Sequence, residues 1–298
     1  GRLFAAMEPD EFEKAFQAWV HELAGTAAGK HIAIDGKTLR RSFDRASKKA
    51  AIHMVSAWAH ENHAVFGQLK VDDKSNEIKA IPKLLKMLNL KEATVTIDAM
   101  GCQRDIAKQI IDQGGNYVLA LKGNQGQLHE DVKLYMDDAT DQESPSVSDV
   151  YESCEKGHGR IEQRRCWSST QVDWLKNRHD WPGLVSIAAV ECKRTIDGKT
   201  SIERRYYISS HDGRCAQRIA TLVRNHWRVE TELHWTLDVC FGEDNSRVRL
   251  ANAAENLSRV RRIALMLLKQ EKTAKMGVKG KRMKAAYDRQ YLLKVLQF

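Results

Sequence analysis

Apolar residues along this chain recur with two spacings, one near 2 and one near 3.6, and the switches between them outline the expected elements. Residues 8 to 24 carry Phe12, Phe16, Trp19, Val20 and Leu23 at helical spacing, which predicts an amphipathic packing helix. After the small-residue linker Ala24 to Lys30, the run His31-Ile32-Ala33-Ile34 predicts a buried strand that stops at Asp35-Gly36. Ala51 to Trp58 and Ala64 to Val71 predict two strands joined through His60-Glu61-Asn62-His63, a turn by composition. Ile81 to Leu90 predicts a short helix with Pro82 in its first turn. Ala93 to Asp98 repeats the design of the first strand: an apolar β-run, an acid, then a small residue. Gln103 to Gln113 predicts a helix closed by Gly114-Gly115, Asn116 to Leu121 a strand, and Gln127 to Met136 another helix.

Asp137 to Ser148 is polar, contains Pro145 and predicts a loop. Strand patterns dominate from Val150 to Ser210, chiefly Gly159 to Ser168, Leu184 to Cys192 and Ser201 to Ile208, with Ile196-Asp197-Gly198-Lys199 as a hairpin turn. Helix returns with a long element from about Cys215 to Leu237, so the β-block reads as an insertion. Asn252 and Glu255 form a capping-box-like start for a helix through Leu268, with Arg259 and Arg262 off its packing face and solvated. A last helical stretch carries Tyr287, Tyr291, Leu292 and Val295. The element order β, β-hairpin, α, β, α, β predicts an α/β fold with a mixed sheet, in the ribonuclease-H-like arrangement, with helical N- and C-terminal segments. The expected division is 1–30 (helical), 31–138 (first part of the core), 139–213 (β-rich insertion), 214–270 (closing helices) and 271–298 (basic tail).

Two acids end two core strands, and a buried carboxylate needs a partner. Asp35 and Asp98 at one sheet edge would suit a shared divalent cation. On the long helix, at about 100° per residue, Ile219, Leu222, Val223, Leu233 and Leu237 make one stripe. Glu230 falls inside that stripe, about 20° from Ile219, whereas Glu232 faces the other way as a solvated acid. Glu230 is therefore the third candidate ligand, with a salt bridge to Arg228 or to an arginine of the tail as the alternative. His226, Glu230 and His234 also share a face at i, i+4 and i+8, which leaves open a transition-metal site on that helix. It does not match H-E-x-x-H, and one helix offers few ligands.

Composition narrows the partners. The net charge of +9 over 298 residues favours an anionic partner such as nucleic acid, a solvated basic surface being the alternative. From Lys269 to Phe298 nine Lys/Arg stand against Glu271 and Asp288, so the tail holds +7 of the +9. A second basic stretch runs through Lys37, Arg40, Arg41, Arg45, Lys48 and Lys49. The six cysteines show no C-x-x-C pair or zinc-finger spacing and no signal peptide is evident, so reduced thiols and a cytoplasmic location are expected. No apolar run reaches the roughly 18 residues of a membrane span. The chain opens Gly1-Arg2-Leu3, so a segment upstream is expected.

Four separated motifs carry a resemblance. Ile32-Ala33-Ile34-Asp35-Gly36-Lys37-Thr38-Leu39-Arg40, Thr96-Ile97-Asp98-Ala99-Met100-Gly101-Cys102-Gln103, Leu121-Lys122-Gly123-Asn124-Gln125, and His226-Trp227-Arg228-Val229-Glu230 with Leu233-His234-Trp235 occur in that order. Together with Leu237-Asp238-Val239 and Gly242-Glu243-Asp244, they resemble bacterial insertion-sequence transposases of the DDE class, in particular the H-repeat-associated group. The resemblance spans nearly the whole chain and implies metal-dependent DNA strand cleavage and strand transfer, with a ribonuclease-H-like nuclease or a non-catalytic DNA-binding remnant as the alternatives. It implies Asp35, Asp98 and Glu230 as ligands of two Mg²⁺ ions (Mn²⁺ substituting), Asp35 bridging them. Double-stranded DNA would be the partner, at transposon ends and target, bound by at least a homodimer, with nucleoid association when bound and no membrane. The class often carries Y-x2-R-x3-E-x6-K, but Val223, His226 and Leu237 hold those positions here. Phosphate contacts then fall to Arg224, Arg228 and His226, with Lys37, Arg40, Arg41, Lys122, Asn124, His234, Lys281 and Arg282 as further DNA-contact candidates. Relatives of this kind carry an additional helical segment ahead of the core.

Overall fold

The computed structural model describes residues 1–43, 50–71, 77–141, 145–157, 159–176 and 178–297. Arg45, Lys48 and Lys49 of the basic stretch that begins at Lys37 lie outside them. The elements are α1 (Arg2–Ala6), α2 (Pro9–Ala24), β1 (His31–Thr38), β2 (His53–Ala59), β3 (Ala64–Val71), α3 (Glu77–Lys86), β4 (Thr94–Ile97), α4 (Arg104–Asp112), β5 (Asn116–Leu121) and α5 (Gln127–Asp141). There follow β6 (Asp149–Gly157), β7 (Arg160–Ser169), β8 (Ser186–Ile196), β9 (Lys199–Ser209), α6 (Ala216–His226), a π-helical segment (Val229–His234) and α7 (Trp235–Phe241). The chain closes with α8 (Ala253–Gln270), α9 (Val278–Tyr287) and α10 (Arg289–Val295). Among the described residues, no helix is long and apolar enough to cross a membrane.

Two compact units form. The first takes Gly1–Ala27, Ala33–Asn89 and Trp227–Phe298; the second takes Ala28–Ile32 and Leu90–His226. In the first, strands lie in the order β3-β2-β1 and β2 pairs antiparallel with β3, from His53↔Val71 to Ala59↔Ala64. All of β2 is buried. Helix α2 lays Phe16 and Val20 into the core, as its helical spacing predicts. Gly36 in β1 is required by packing: the His53 imidazole and the Glu77 carboxylate occupy the space any Cβ would need. Helix α3 begins at Glu77, earlier than predicted, so Pro82 sits inside it rather than in its first turn.

In the second unit the strands run β4-β5-β9-β8-β7-β6, with β4 parallel to β5 and every other pair antiparallel. The first residues of β1 belong here: Thr94 N–H donates to Lys30 O at 2.9 Å. The β-rich block does not stand apart, because β9 pairs with β5 from Val118↔Ser209 to Leu121↔Tyr206 and so extends that sheet. Its strands are buried at the end next to β5 and exposed towards the β8–β9 turn. Helix α5 continues to Asp141 where a loop was predicted. Asp137 Oδ1 accepts from Arg204 Nη1 (2.9 Å) and Tyr206 Oη (2.6 Å), and Arg204 also donates to Thr140 Oγ1 (3.1 Å). Partners on β9 thus hold a polar turn helical against its local preference. Both units mix strands and helices, the α/β class that the element order predicts.

Helix α8 departs from expectation at both polar features. Asn252 makes no side-chain cap; its Nδ2 donates to Met7 O at 3.2 Å. Arg259 and Arg262, predicted to be solvated, are 1% and 0% exposed. Arg259 donates to Glu13 Oε2 (2.6 Å), Glu255 Oε1 (2.9 Å) and Asn256 Oδ1 (3.2 Å), and Arg262 to Glu243 Oε1 (3.2 Å). Distant acids make these positions tolerable, and periodicity says nothing of distant acids.

Candidate active site

Asp35 lies in β1 where the strand leaves its fully buried portion, and its carboxylate is 23% exposed. His234 Nδ1 stands 3.4 Å from Asp35 Oδ2. Burial, with Arg262, Lys37 and His53 around it, lowers the His234 pKa to about 3, so the ring is neutral at pH 7. The contact is therefore that of a neutral imidazole with a carboxylate, and it leaves the charge of Asp35 uncompensated by His234. Among the described residues, the buried Nε2 of His234 has no hydrogen-bond partner. Lys37, two residues along β1, is also buried, and its Nζ meets Asp238 Oδ2 at 2.7 Å and Asp244 Oδ1 at 3.3 Å.

Glu230 sits in the π-helical segment and is exposed. The apolar stripe predicted for one continuous helix does not form as drawn, because α6 ends at His226 and the next six described positions from Val229 wind with the wider i→i+5 bonding. Trp235 N–H donates to Glu230 O in that pattern. Val229 and Leu233 are the buried residues of the segment, and Glu230 turns outward between them. π-turns of this type often accompany functional positions. Glu232, expected to be solvated, is the residue the segment turns into a network: Oε2 meets His60 Nδ1 (2.8 Å) and His63 Nδ1 (3.3 Å), and Oε1 meets Arg228 Nη2 (2.7 Å). Although burial opposes it, these hydrogen bonds draw the Glu232 pKa down to about 2. Arg228 is thus committed to Glu232 rather than to Glu230 in these contacts.

Within the second unit, Asp98 follows β4 and is half-buried. Its Oδ1 accepts from Met100 N (3.0 Å) and Gly101 N (3.3 Å), so the tight turn that follows fixes the carboxylate. Asn124 Nδ2 donates to Ala99 O at 2.7 Å, which brings the Lys122–Gln125 loop beside the Asp98 turn. Lys122 and Asn124 are exposed there. Below this level, Thr96 Oγ1 lies 2.9 Å from His31 Nε2 and 2.9 Å from His226 Nδ1. Burial lowers the His226 pKa to about 4.

Several residues expected to contact DNA make contacts within the chain. Lys37 is buried in ion pairs with Asp238 and Asp244, His226 is buried against Thr96, and the half-buried His234 lies against Asp35. The single-helix metal set of His226, Glu230 and His234 dissolves for the same reason: each histidine is engaged elsewhere and the helix is interrupted. Lys281 is 7% exposed and its Nζ donates to Leu268 O (3.1 Å) and to Glu271 O, closing the end of α8. Arg282 packs its guanidinium 5.5 Å from the Phe241 ring centroid. Arg224 is bound to Glu155 at 3.2 Å. Arg40, 80% exposed though 3.2 Å from Asp244, and Arg41 remain at the surface.

The sequence missed the roles of Glu232, His60 and His63. Two histidines flanking a hairpin turn and an acid two residues from Glu230 were the available signals.

Residues 26–267 match the family model described as a transposase DDE domain. Two proteins of Escherichia coli (strain K12), "Putative protein YbfL" and "H repeat-associated putative transposase YhhI", are each 42% identical to this chain over 302 aligned positions, covering 99% of this chain and 79% of theirs. Among solved structures, a piggyBac transposase synaptic complex with hairpin DNA is similar at a TM-score of 0.43 and 14% identity. That match covers 96% of this chain, which spans 58% of the piggyBac chain. By the extent of the family match and the identity of its relatives, the chain belongs to the transposase DDE-domain family.

Proposed function

We propose that this chain cleaves DNA strands at insertion-sequence ends and joins them to target DNA, with Asp35, Asp98 and Glu230 as the carboxylates that hold two divalent metal ions. The observation that carries the reading is the family match, whose span from 26 to 267 contains all three acids. The donor set suits Mg²⁺, with Mn²⁺ as substitute: each candidate offers hard carboxylate oxygen, and none of the three is fully buried. When bound, such ions activate a water or 3′-hydroxyl and stabilise charge on the phosphate oxygens.

The chain's own side chains then have distinct duties. His234, neutral at pH 7, orients the Asp35 carboxylate without cancelling its charge. Amide donors on Oδ1 fix the Asp98 carboxylate. Glu230 reaches outward from the π-turn. Lys122, Asn124, Arg40 and Arg41 are the exposed candidates for phosphate contact, which would position DNA without reading its sequence. Two such chains, one for each element end, would act together.

Supercoiled DNA carrying the element's ends tests this. Nicking and strand-transfer products should form with Mg²⁺ or Mn²⁺ and not with chelator. Asp35→Asn, Asp98→Asn and Glu230→Gln should each lower the rate by roughly 1,000-fold or more, about 4 kcal/mol of transition-state stabilisation. Full activity in any of the three sinks the assignment of that acid. Cleavage without joined products would mark a nuclease, and end-binding without cleavage a remnant.

A further inference from the structure

A second constellation of ligand atoms lies wholly in the first unit. His60 Nδ1 and His63 Nδ1, from the β2–β3 turn, converge on Glu232 Oε2 at 2.8 and 3.3 Å. Among the described residues, this is the group of histidine and acid side chains whose ligand atoms lie within 4.8 Å of one another. All three side chains are half-buried, at 19%, 30% and 19% exposure. His63 adopts a left-handed backbone, φ 49°, and its ring stands edge-on to His60 with centroids 5.6 Å apart. Trp58 closes the side of the group, its ring 6.0 Å from that of His63.

Hydrogen bonding alone satisfies this arrangement poorly. Both Nδ1 atoms would need protons to donate to the same carboxylate oxygen. Yet His63 Nδ1 is also 3.4 Å from Lys269 Nζ, an ammonium that can only donate. One ring nitrogen cannot donate to Glu232 and accept from Lys269 at once. A cation among the three atoms would take both imidazole lone pairs and the carboxylate together, while Arg228 keeps the other oxygen of Glu232. The geometry fits such an ion: ligand atoms about 2.0–2.1 Å from a tetrahedral Zn²⁺ stand about 3.3 Å apart. Lys269, on a flexible four-carbon stem, can swing its amine aside.

We propose that His60, His63 and Glu232 form a Zn²⁺-type transition-metal site, with a fourth position left for water. Its nitrogen-rich donor set separates it from the all-oxygen carboxylates Asp35, Asp98 and Glu230 and selects a softer ion than Mg²⁺. The site ties the β2–β3 turn to the π-helical segment, two residues from Glu230, so its occupancy would fix how that segment is held. It stands whether or not the three acids catalyse strand transfer.

The experiment uses the full chain, stripped with chelator and titrated with Co²⁺ and Zn²⁺. One equivalent of Co²⁺ should give the visible absorption of a low-coordinate nitrogen/oxygen site, and Zn²⁺ should bleach it. The Asp35→Asn/Asp98→Asn/Glu230→Gln triple variant should keep that signal. His60→Ala/His63→Ala, and separately Glu232→Gln, should weaken Zn²⁺ binding by roughly 100-fold or more, since losing even supporting contacts of a metal ligand weakens binding by about 10–100-fold. Circular dichroism of the stripped proteins checks that the variants fold, and the wild-type spectrum decides the matter if they do not. Absence of the Co²⁺ band in the wild type, its loss in the triple variant, or Zn²⁺ affinity indifferent to the histidines and Glu232 overturns the proposal.

Discussion

Charged residues are handled in opposite ways around α8 and around the exposed Glu155 of β6. In the first unit, Arg259 and Arg262 lie almost wholly out of water and are matched by Glu13, Glu255 and Glu243. In the second, Arg164 and Arg224 share Glu155, which is 54% exposed. The residue types are the same and the distances similar, 2.6 to 3.2 Å. What differs is the solvent. A buried ion that loses its partner keeps its desolvation penalty, whereas an exposed one returns to water.

That contrast can be broken by substitution. Arg259→Ala strands Glu13, whose buried carboxyl is already raised by desolvation, and should cost about 3–5 kcal/mol in a urea titration. The double replacement Arg259→Met/Glu13→Leu should recover most of that loss, because it removes both ions together. A loss under about 1 kcal/mol for Arg259→Ala would erase the distinction between the two regions.

Acid sharpens the comparison next. His226 and His234 have pKa values lowered to about 4 and about 3, so the folded chain stays unprotonated there while the unfolded chain binds protons from about pH 6.5 downward. Stability from each is present above pH 6.5 and is lost as pH falls towards those values. His226 alone accounts for about 3 kcal/mol by pH 4. Unfolding midpoints measured from pH 7 to 4 should fall accordingly, and His226→Gln should flatten the slope.

Lys37→Met leaves Asp238 and Asp244 facing a methyl group, and a loss of about 1–3 kcal/mol is expected by thermal unfolding. The smallest effect belongs to the surface: Glu155→Gln should change stability by less than about 1 kcal/mol, and less still in high salt. It also releases Arg224, so DNA affinity should rise slightly rather than fall.

The legible parts of this molecule were those governed by local pattern. The apolar runs before Asp35 and Asp98 were readable as strands because a buried strand needs only consecutive apolar residues; β4 stops at its acid as expected, whereas β1 runs on past Asp35 to Thr38. β5 was readable to the residue, from Asn116 to Leu121. Helix α2 followed from its spacing. The interruption after His226 was not legible, since no proline or glycine marks it and the choice between i→i+4 and i→i+5 bonding rests on what the segment packs against. That one change moved Glu232 from an expected solvated face into contact with His60 and His63.

The two kinds of acid make the same point. Asp35 and Asp98 were picked out because a carboxylate closing an apolar run is conspicuous in the sequence itself. Glu13 and Glu243, only 2% and 1% exposed, look in the sequence like ordinary surface acids. By itself the sequence determined the alternation of strands and helices and the family motifs in which the three candidate ligands stand. Only the tertiary structure decided which charges meet. Secondary structure follows from neighbours a few residues apart, but an ion pair such as Arg259 with Glu13 joins positions 246 residues apart, and burial, not composition, sets its worth.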